Sequence, residues 1–170
     1  MNKNNNIILI GFMGVGKGSV AREVVKNSSY IAIDTDDLIE SMENRKIVKI
    51  FEAEGEAYFR DLEKNLSIWL ASSVKNTLIS TGGGFYKQEK LKKIGKIVLL
   101  DSPFNDIIAR IKKHPNAVKK LAKRPLLSDL VKAEELYNIR RPEYMALADV
   151  VIDVTKKSAL DCAKEILKKV

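Results

Sequence analysis

The sequence predicts an α/β fold with three layers, α/β/α, around a central five-stranded parallel sheet. Five strand-length apolar segments recur along the 170 residues, each separated from the next by a helical pattern. Such alternation is typical of a parallel sheet. A glycine-rich loop joins the first segment to a helix, and a hydrophobic content of 45% with 31% charged residues is that of a globular protein. A single domain over residues 1–170 follows.

The predicted strands are short runs rich in isoleucine, leucine and valine. They lie near residues 7–10, 30–34, 77–80, 96–100 and 149–153. Residues 1–6 form a polar lead-in to the first strand, and no segment resembles a signal peptide or a membrane span. A cytoplasmic protein is therefore expected.

Helical periodicity is clearest in residues 56–71. Phe59, Leu62, Leu66 and Trp69 recur at helical spacing, which predicts an amphipathic helix whose apolar face, Trp69 included, is buried.

Two further helices are predicted from their first residues. Ser102 followed by Pro103 is typical of an N-cap and a first helical position, and it predicts a helix through about Lys113. Ser128 is predicted to cap the helix that carries Glu134 and Glu135.

The loop after the first strand, residues 11–19, reads Gly-Phe-Met-Gly-Val-Gly-Lys-Gly-Ser. A strand, a glycine loop and a helix in this order are the context of a phosphate-binding P-loop, in which backbone N–H groups surround a polyphosphate and the lysine reaches the β and γ phosphates. The alternative is a glycine turn beside a surface lysine. The sequence therefore predicts nucleoside triphosphate binding by Gly14, Val15, Gly16, Lys17, Gly18 and Ser19.

Residue 18 departs from the motif. The residue after the lysine normally supplies a hydroxyl to Mg²⁺, whereas this chain has Gly18 and carries its hydroxyl at Ser19. Reduced magnesium affinity is expected, with either a water or Ser19 in place of the missing hydroxyl and Asp34 acting through water.

Composition excludes several function classes. Cys162 is the only cysteine, so an internal disulfide is impossible, and its helical context favours a small core residue over a nucleophile. His114 is the only histidine, too isolated for a metal cluster. The net charge of +8 could indicate nucleic acid, but it comes without an aromatic stacking pattern or a nucleic-acid motif, and a small anionic ligand explains it as well.

Two acids follow the second predicted strand, at Asp34 and Asp36. In a kinase one acid can hold the water shell of magnesium while the other orients the acceptor and takes its proton. The alternative is an acidic helix N-terminus, where aspartate is favoured by capping and by the helix dipole.

Three consecutive glycines, Gly82, Gly83 and Gly84, follow the third predicted strand. Glycine weakens folding entropically unless close contact or an unusual φ requires it. The run therefore predicts close approach of backbone to a ligand, with a tight turn as the alternative.

Together these residues resemble the shikimate kinases, a branch of the P-loop kinases related to nucleoside monophosphate kinases. The resemblance extends through nearly the whole chain. Its motifs are residues 11–17, Asp-Thr-Asp at 34–36, Ile50-Phe51, Gly55-Glu56, Phe59-Arg60 before Glu63, residues 82–84, residues 124–127 and residues 140–144 ahead of Ala148-Asp149.

The resemblance implies specific roles on the acceptor side of the site. Asp36 would bind the acceptor diol and serve as base, and Arg60 and Arg140 would grip the substrate carboxylate. The alternative for each arginine is a surface ion pair with a neighbouring Glu or Asp. Gly83 would be the closest glycine contact, between Gly82 and Gly84. A substrate-binding segment at about 35–62 and a lid at about 112–125 are also implied.

On the nucleotide side, Arg124 matches the lid arginine that touches the ATP phosphates and stabilises the transition state. Arg110 lies where the family places a basic residue against the adenine, and Lys157 falls near the other adenine-contacting loop; an exposed basic helix start is the alternative for Lys157. Between Arg110 and Arg124 the chain carries seven basic side chains and no acid, which suits a flap above phosphates; a solvated basic loop is the alternative.

The activity implied is ATP- and Mg²⁺-dependent phosphorylation of shikimate at its 3-hydroxyl, by a monomer without nucleic-acid or membrane partners. Asp36, Lys17 and Arg124 would be its catalytic residues. Alternatives are another small-metabolite kinase of this fold, a nucleotide-binding protein impaired by Gly18, and a basic nucleic-acid binder.

Overall fold

The structure, a computed structural model, describes residues 4–113, 115–116 and 127–170. His114, Arg124 and most of the predicted lid lie outside these residues. The described chain contains a five-stranded sheet of β1 (Ile7–Ile10), β2 (Ile31–Asp34), β3 (Thr77–Ser80), β4 (Lys96–Asp101) and β5 (Val150–Asp153). The strands lie in the order β2-β3-β1-β4-β5, and every neighbouring pair is parallel. The predicted fold class is confirmed.

Seven α-helices are described around the sheet. They are α1 (Lys17–Lys26), α2 (Thr35–Glu43), α3 (Ile47–Ser73), α4 (Leu91–Ile94), α5 (Phe104–Lys112), α6 (Leu130–Leu147) and α7 (Ala159–Lys169). A 3₁₀ turn, Phe85–Lys87, follows the three glycines. Within the described ranges no helix is both long enough and apolar enough to cross a bilayer.

Strands β1 and β3 form the centre of the core. All four residues of each are buried, and because successive side chains point to opposite faces, both faces of the sheet are covered by helices. At the edge of the sheet where the strands begin, Asn6 is 2% exposed and connects neighbouring segments of the chain through hydrogen bonds. It donates to the carbonyls of Val74 and Ile94 and accepts from the Thr77 N–H. The last residue of the polar lead-in is therefore a core residue.

Both predicted caps are wrong by one residue. Pro103 is itself the N-cap of α5, with an extended ψ of 144°, so the helix begins one residue later than expected. Ser102 Oγ lies instead 3.2 Å from Thr155 Oγ1. At α6 the cap is Asp129, whose carboxylate accepts from the N–H groups of Val131 and Lys132, and not Ser128.

The prediction that Trp69 is buried is also wrong, since it is 47% exposed. The buried face of α3 passes through Phe59, Glu63, Leu66 and Leu70. Trp69 lies about 100° around the helix from Leu70, outside that face. Glu63 is charged and so does not count in an apolar pattern, but it occupies a buried position on this face.

Cys162 is 1% exposed in α7, which confirms its prediction as a core residue. Burial raises the pKa of its thiol. A buried thiol with a raised pKa is a poor nucleophile.

Candidate functional site

The glycine loop after β1 has the geometry of a phosphate cradle. Gly14 and Gly16 have φ values of 83° and 107°, a region that side-chain-bearing residues rarely adopt. Gly16 is the N-cap of α1, which begins at Lys17. The Lys17 ammonium donates to the carbonyls of Gly11 at 2.7 Å and Phe12 at 3.3 Å, so the lysine side chain folds back over its own loop.

One cavity of about 690 Å³ opens at the carboxyl ends of the strands, the edge where parallel sheets bind ligands. It brings together most of the residues predicted from the sequence. Its lining includes residues 14–19, Asp34, Asp36, Gly82, Gly83, Arg110 and Lys157.

Position 18 has room for the side chain it lacks. A Cβ built on Gly18 would meet only Arg22 Nη1, at 3.7 Å, an ordinary van der Waals distance. The neighbouring Ser19 hydroxyl accepts a hydrogen bond of 3.3 Å from Arg22 Nη2. A guanidinium group therefore stands beside the position where the usual hydroxyl ligand is absent.

Asp34 serves first as a structural cap. Its Oδ1 accepts from the N–H groups of Asp36 at 2.9 Å and Asp37 at 3.4 Å, and its Oδ2 accepts from the Ser80 hydroxyl at 2.8 Å. Among the described residues, no three His, Cys, Asp or Glu side chains form a metal-binding group. A magnesium role for Asp34, Gly18 or Ser19 stays a prediction.

The Asp36 carboxyl group has an unusual environment. Burial raises its pKa from 3.8 to about 7, and the charges of Asp34 and Glu63 act in the same direction while Lys17 opposes them. A carboxyl group with a pKa near neutral pH is suited to accept a proton in general base catalysis.

The three glycines after β3 give space to three side chains. A Cβ on Gly82 would collide with the carboxylate of Asp36. A Cβ on Gly84 would lie 2.6 Å from Arg60 Nη1, and one on Gly83 would lie 3.1 Å from Arg140 Nη1. None of the three has a positive φ, so close contact is the physical reason for this run.

Arg60 is held between two carboxylates of its own helix. Its Nη1 donates to Glu63 at 2.7 Å, and its Nε and Nη2 donate to Glu56 Oε1 at 3.1 and 2.8 Å. The Glu63 side chain is 1% exposed, and burial raises its pKa against the opposing effect of Arg60. Glu63 therefore anchors the guanidinium from below, on the side away from solvent.

Arg110 and Lys157 line the end of the cavity beside α5 and α7. Arg110 Nη2 donates to the Val15 carbonyl at 2.8 Å, which ties α5 to the glycine loop. Lys157 lies before α7 and pairs with Glu165 at 2.7 Å. Both also line a second hollow of about 550 Å³, between α5 and the loop after β5.

Sequence reasoning missed Arg22, Tyr86 and Tyr144 at the site, and the anchoring role of Glu63. Arg60 and Glu63 are three residues apart, and Arg140 and Tyr144 are four apart. Such spacings place both members of each pair on one helix face. They are the sequence signal that could have indicated Glu63 as a partner of Arg60 and Tyr144 as a partner of Arg140.

The glycine loop lines the same cavity as Asp34 and Asp36, so a nucleotide and an acceptor bound there would be neighbours. This arrangement, on a parallel sheet of this order, defines a P-loop kinase. The family model for shikimate kinase matches residues 13–170, and the chain belongs to that family.

Individual relatives agree with this assignment. The chain is 38% identical to a shikimate kinase of Helicobacter hepaticus, covering 96% of this chain and 94% of the relative. It resembles the structure of shikimate kinase from Acinetobacter baumannii in complex with shikimate, with a TM-score of 0.84, 33% identity and coverage of 98% and 93%. For shikimate kinase from Aquifex aeolicus the TM-score is 0.77, the identity 33% and the coverage 96% and 95%.

Proposed function

We propose that this chain transfers the γ-phosphoryl group of ATP to the 3-hydroxyl of shikimate, giving shikimate 3-phosphate and ADP, in the biosynthesis of chorismate and aromatic amino acids. Membership of the shikimate kinase family supports the reaction type. The relative from Acinetobacter baumannii is a complex with shikimate, which supports the choice of acceptor.

The observation that carries the proposal is the meeting of Asp36, Arg60 and Arg140 at the three glycines. Shikimate combines one planar carboxylate with ring hydroxyls. Guanidinium groups bind a carboxylate through paired hydrogen bonds, whereas a carboxylate accepts from hydroxyls. Two arginines and one aspartate around a glycine backbone therefore complement both ends of this acceptor.

Asp36 acts as the base in the proposed step. Its carboxylate accepts the proton of the 3-hydroxyl while that oxygen forms a bond to the γ-phosphorus. The bond from the γ-phosphorus to the bridging oxygen breaks, and ADP leaves with that electron pair. The pKa of about 7 leaves a large fraction of Asp36 deprotonated at neutral pH, as the base role requires.

Lys17 and the backbone of residues 14–19 bind the β and γ phosphates and stabilise the charge on the transferring group. Arg110 and Lys157 contact the nucleotide on its base side, at the edge of the second hollow. Arg124, which lies outside the described residues, is proposed as the lid arginine on the strength of the family motif. Positioning and electrostatics supply most of the acceleration in such enzymes.

The donor set fits magnesium that keeps several waters. Asp34 lines the same cavity as the glycine loop, and Mg²⁺ typically takes one or two carboxylates together with phosphate oxygens and water. Asp34 would hold the ion through water, without a hydroxyl from residue 18. When bound, the ion neutralises charge on the phosphates.

The test is ADP formation by the purified protein with ATP and magnesium, with shikimate, quinate, gluconate or a nucleoside monophosphate supplied in parallel. Turnover that depends on shikimate is expected. Turnover with a different acceptor alone would replace the substrate assignment. ATP binding without transfer to any acceptor would contradict the proposal and favour a nucleotide-binding protein disabled at Gly18.

A further inference from the structure

Tyr144 links helix α6 to the glycine run. Its side chain is 2% exposed, and its hydroxyl donates to the Gly83 carbonyl at 2.7 Å. Tyr144 stands one helical turn after Arg140, so both side chains point to the same face of α6. The hydroxyl and the guanidinium group therefore meet the same glycine from one helix.

A second contact secures the other end of the glycine run. Tyr86, 4% exposed in the 3₁₀ turn after Gly84, donates its hydroxyl proton to the Glu143 carboxylate. The rings of Tyr86 and Tyr144 pack edge to face with centroids 4.6 Å apart. The loop after β3 is thus attached to α6 by two hydroxyl groups and a ring contact.

The position of this loop determines how much room Arg140 has. A Cβ on Gly83 would lie only 3.1 Å from Arg140 Nη1, so the guanidinium occupies space that the glycine leaves open, and a shift of the Gly83 backbone toward it would close that space. We propose that Tyr144 is a positioning residue, whose hydroxyl holds Gly83 at the separation that lets Arg140 bind the substrate carboxylate. This inference rests on the proposed function, since it concerns recognition of the same acceptor.

The Tyr144 hydroxyl remains a donor throughout the working pH range. Burial raises the pKa of Tyr144 to about 12, against the effect of the neighbouring Arg140 guanidinium. A neutral hydroxyl can donate to a carbonyl, whereas a phenolate cannot. The contact with Gly83 therefore does not depend on assay pH near neutrality.

Tyr144→Phe tests the inference because it removes the donor and keeps the ring. We expect the KM for shikimate to rise about threefold to tenfold, the effect of losing one ordinary buried hydrogen bond. The kcat and the KM for ATP should change by less than about twofold, because a fault in carboxylate recognition is a fault in acceptor binding. Shikimate binding measured by calorimetry without ATP should weaken by the same factor as KM rises.

Tyr137→Phe is the matched control. Tyr137 lies two turns earlier on α6, is 8% exposed, and donates its hydroxyl to the Ser102 carbonyl at 2.9 Å. The Tyr137→Phe variant also loses one buried hydroxyl donor, but this donor serves Ser102 and not the glycine run. Its KM for shikimate should therefore remain that of the unmodified protein. A purely structural role for Tyr144 would make the two variants behave alike.

A double-mutant cycle with Arg140→Lys tests whether Tyr144 affects shikimate binding through Arg140. If Tyr144 acts through Arg140, the combined variant should raise the KM for shikimate by less than the product of the two single effects. Multiplicative effects, or an unchanged KM in Tyr144→Phe, would overturn the positioning role while leaving the proposed function intact. Absence of shikimate turnover in the unmodified protein would overturn both, so the two failures are distinguishable.

Discussion

Replacing Asp36 by asparagine separates the energetic cost of burying this carboxyl group from its use in catalysis. Its pKa is raised by burial from 3.8 to about 7. A raised carboxyl pKa means that the folded protein holds the proton more tightly than the unfolded chain does. The contribution of Asp36 to the free energy of unfolding therefore falls as the pH rises from about 4 to about 7 and stays low above that.

The magnitude follows from the same two values. A displacement from 3.8 to about 7 corresponds to about 4 kcal/mol, at ~1.4 kcal/mol for each pH unit. Asparagine has no proton to lose, so Asp36→Asn should gain up to this amount relative to the unmodified protein between pH 4 and pH 8. Changes in packing and hydrogen bonding that do not depend on pH cancel in this comparison.

Urea unfolding of both proteins at pH 4.5, 6 and 8 measures the difference. The variant should bind ATP and lose shikimate phosphorylation by a factor of about 10² or more. Asp37→Asn is the control for activity, because Asp37 is the next residue on α2 and is exposed; it should retain shikimate phosphorylation. An Asp36→Asn stability difference that is equal at all three pH values, or full activity in that variant, would refute the reasoning.

Three other predictions concern residues of the candidate site. Gly18→Ser should lower the magnesium concentration needed for half-maximal activity, because the new hydroxyl has space beside Arg22; an identical magnesium titration would count against this account. Gly84→Ala should raise the KM for shikimate about tenfold or more and lower the free energy of unfolding, since its Cβ would displace the Arg60 guanidinium and weaken its pair with the buried Glu63. Steady-state kinetics with chemical denaturation checks both parts, and an unchanged KM would contradict it. At saturating magnesium, kcat/KM for shikimate should rise with pH through about 7 and then level off, because the base form of Asp36 is required; a flat profile from pH 5.5 to 8 would exclude Asp36 as the base.

Local patterns were sufficient to predict the sheet and the nucleotide loop. The apolar runs of β1, β3 and β4 are continuous because these central parallel strands are buried on both faces. All five observed strands coincide with the predicted runs to within one residue at each end. The glycine loop was equally predictable from the sequence. Gly14 and Gly16 have a positive φ, which residues other than glycine rarely adopt.

Helix starts were harder to predict, because adjacent polar residues compete for one cap. Ser128 and Asp129 both have side chains that can cap α6. In the structure Asp129 has extended backbone and caps the helix. At α5 Pro103 has an extended ψ, so the helix starts one residue later than predicted. The Ser102-Pro103 dipeptide alone does not indicate this.

The sequence by itself determined the sheet, the phosphate loop and the residue types needed for an anionic acceptor. Only the tertiary structure decided which side chains share the site. The three glycines follow β3, whereas Asp36, Arg60 and Arg140 belong to α2, α3 and α6. Their meeting depends on how helices distant in sequence pack at one edge of the sheet, and no periodicity along the chain encodes that packing. The raised pKa of Asp36 has the same origin, since it arises from burial and from carboxylates brought close by the fold.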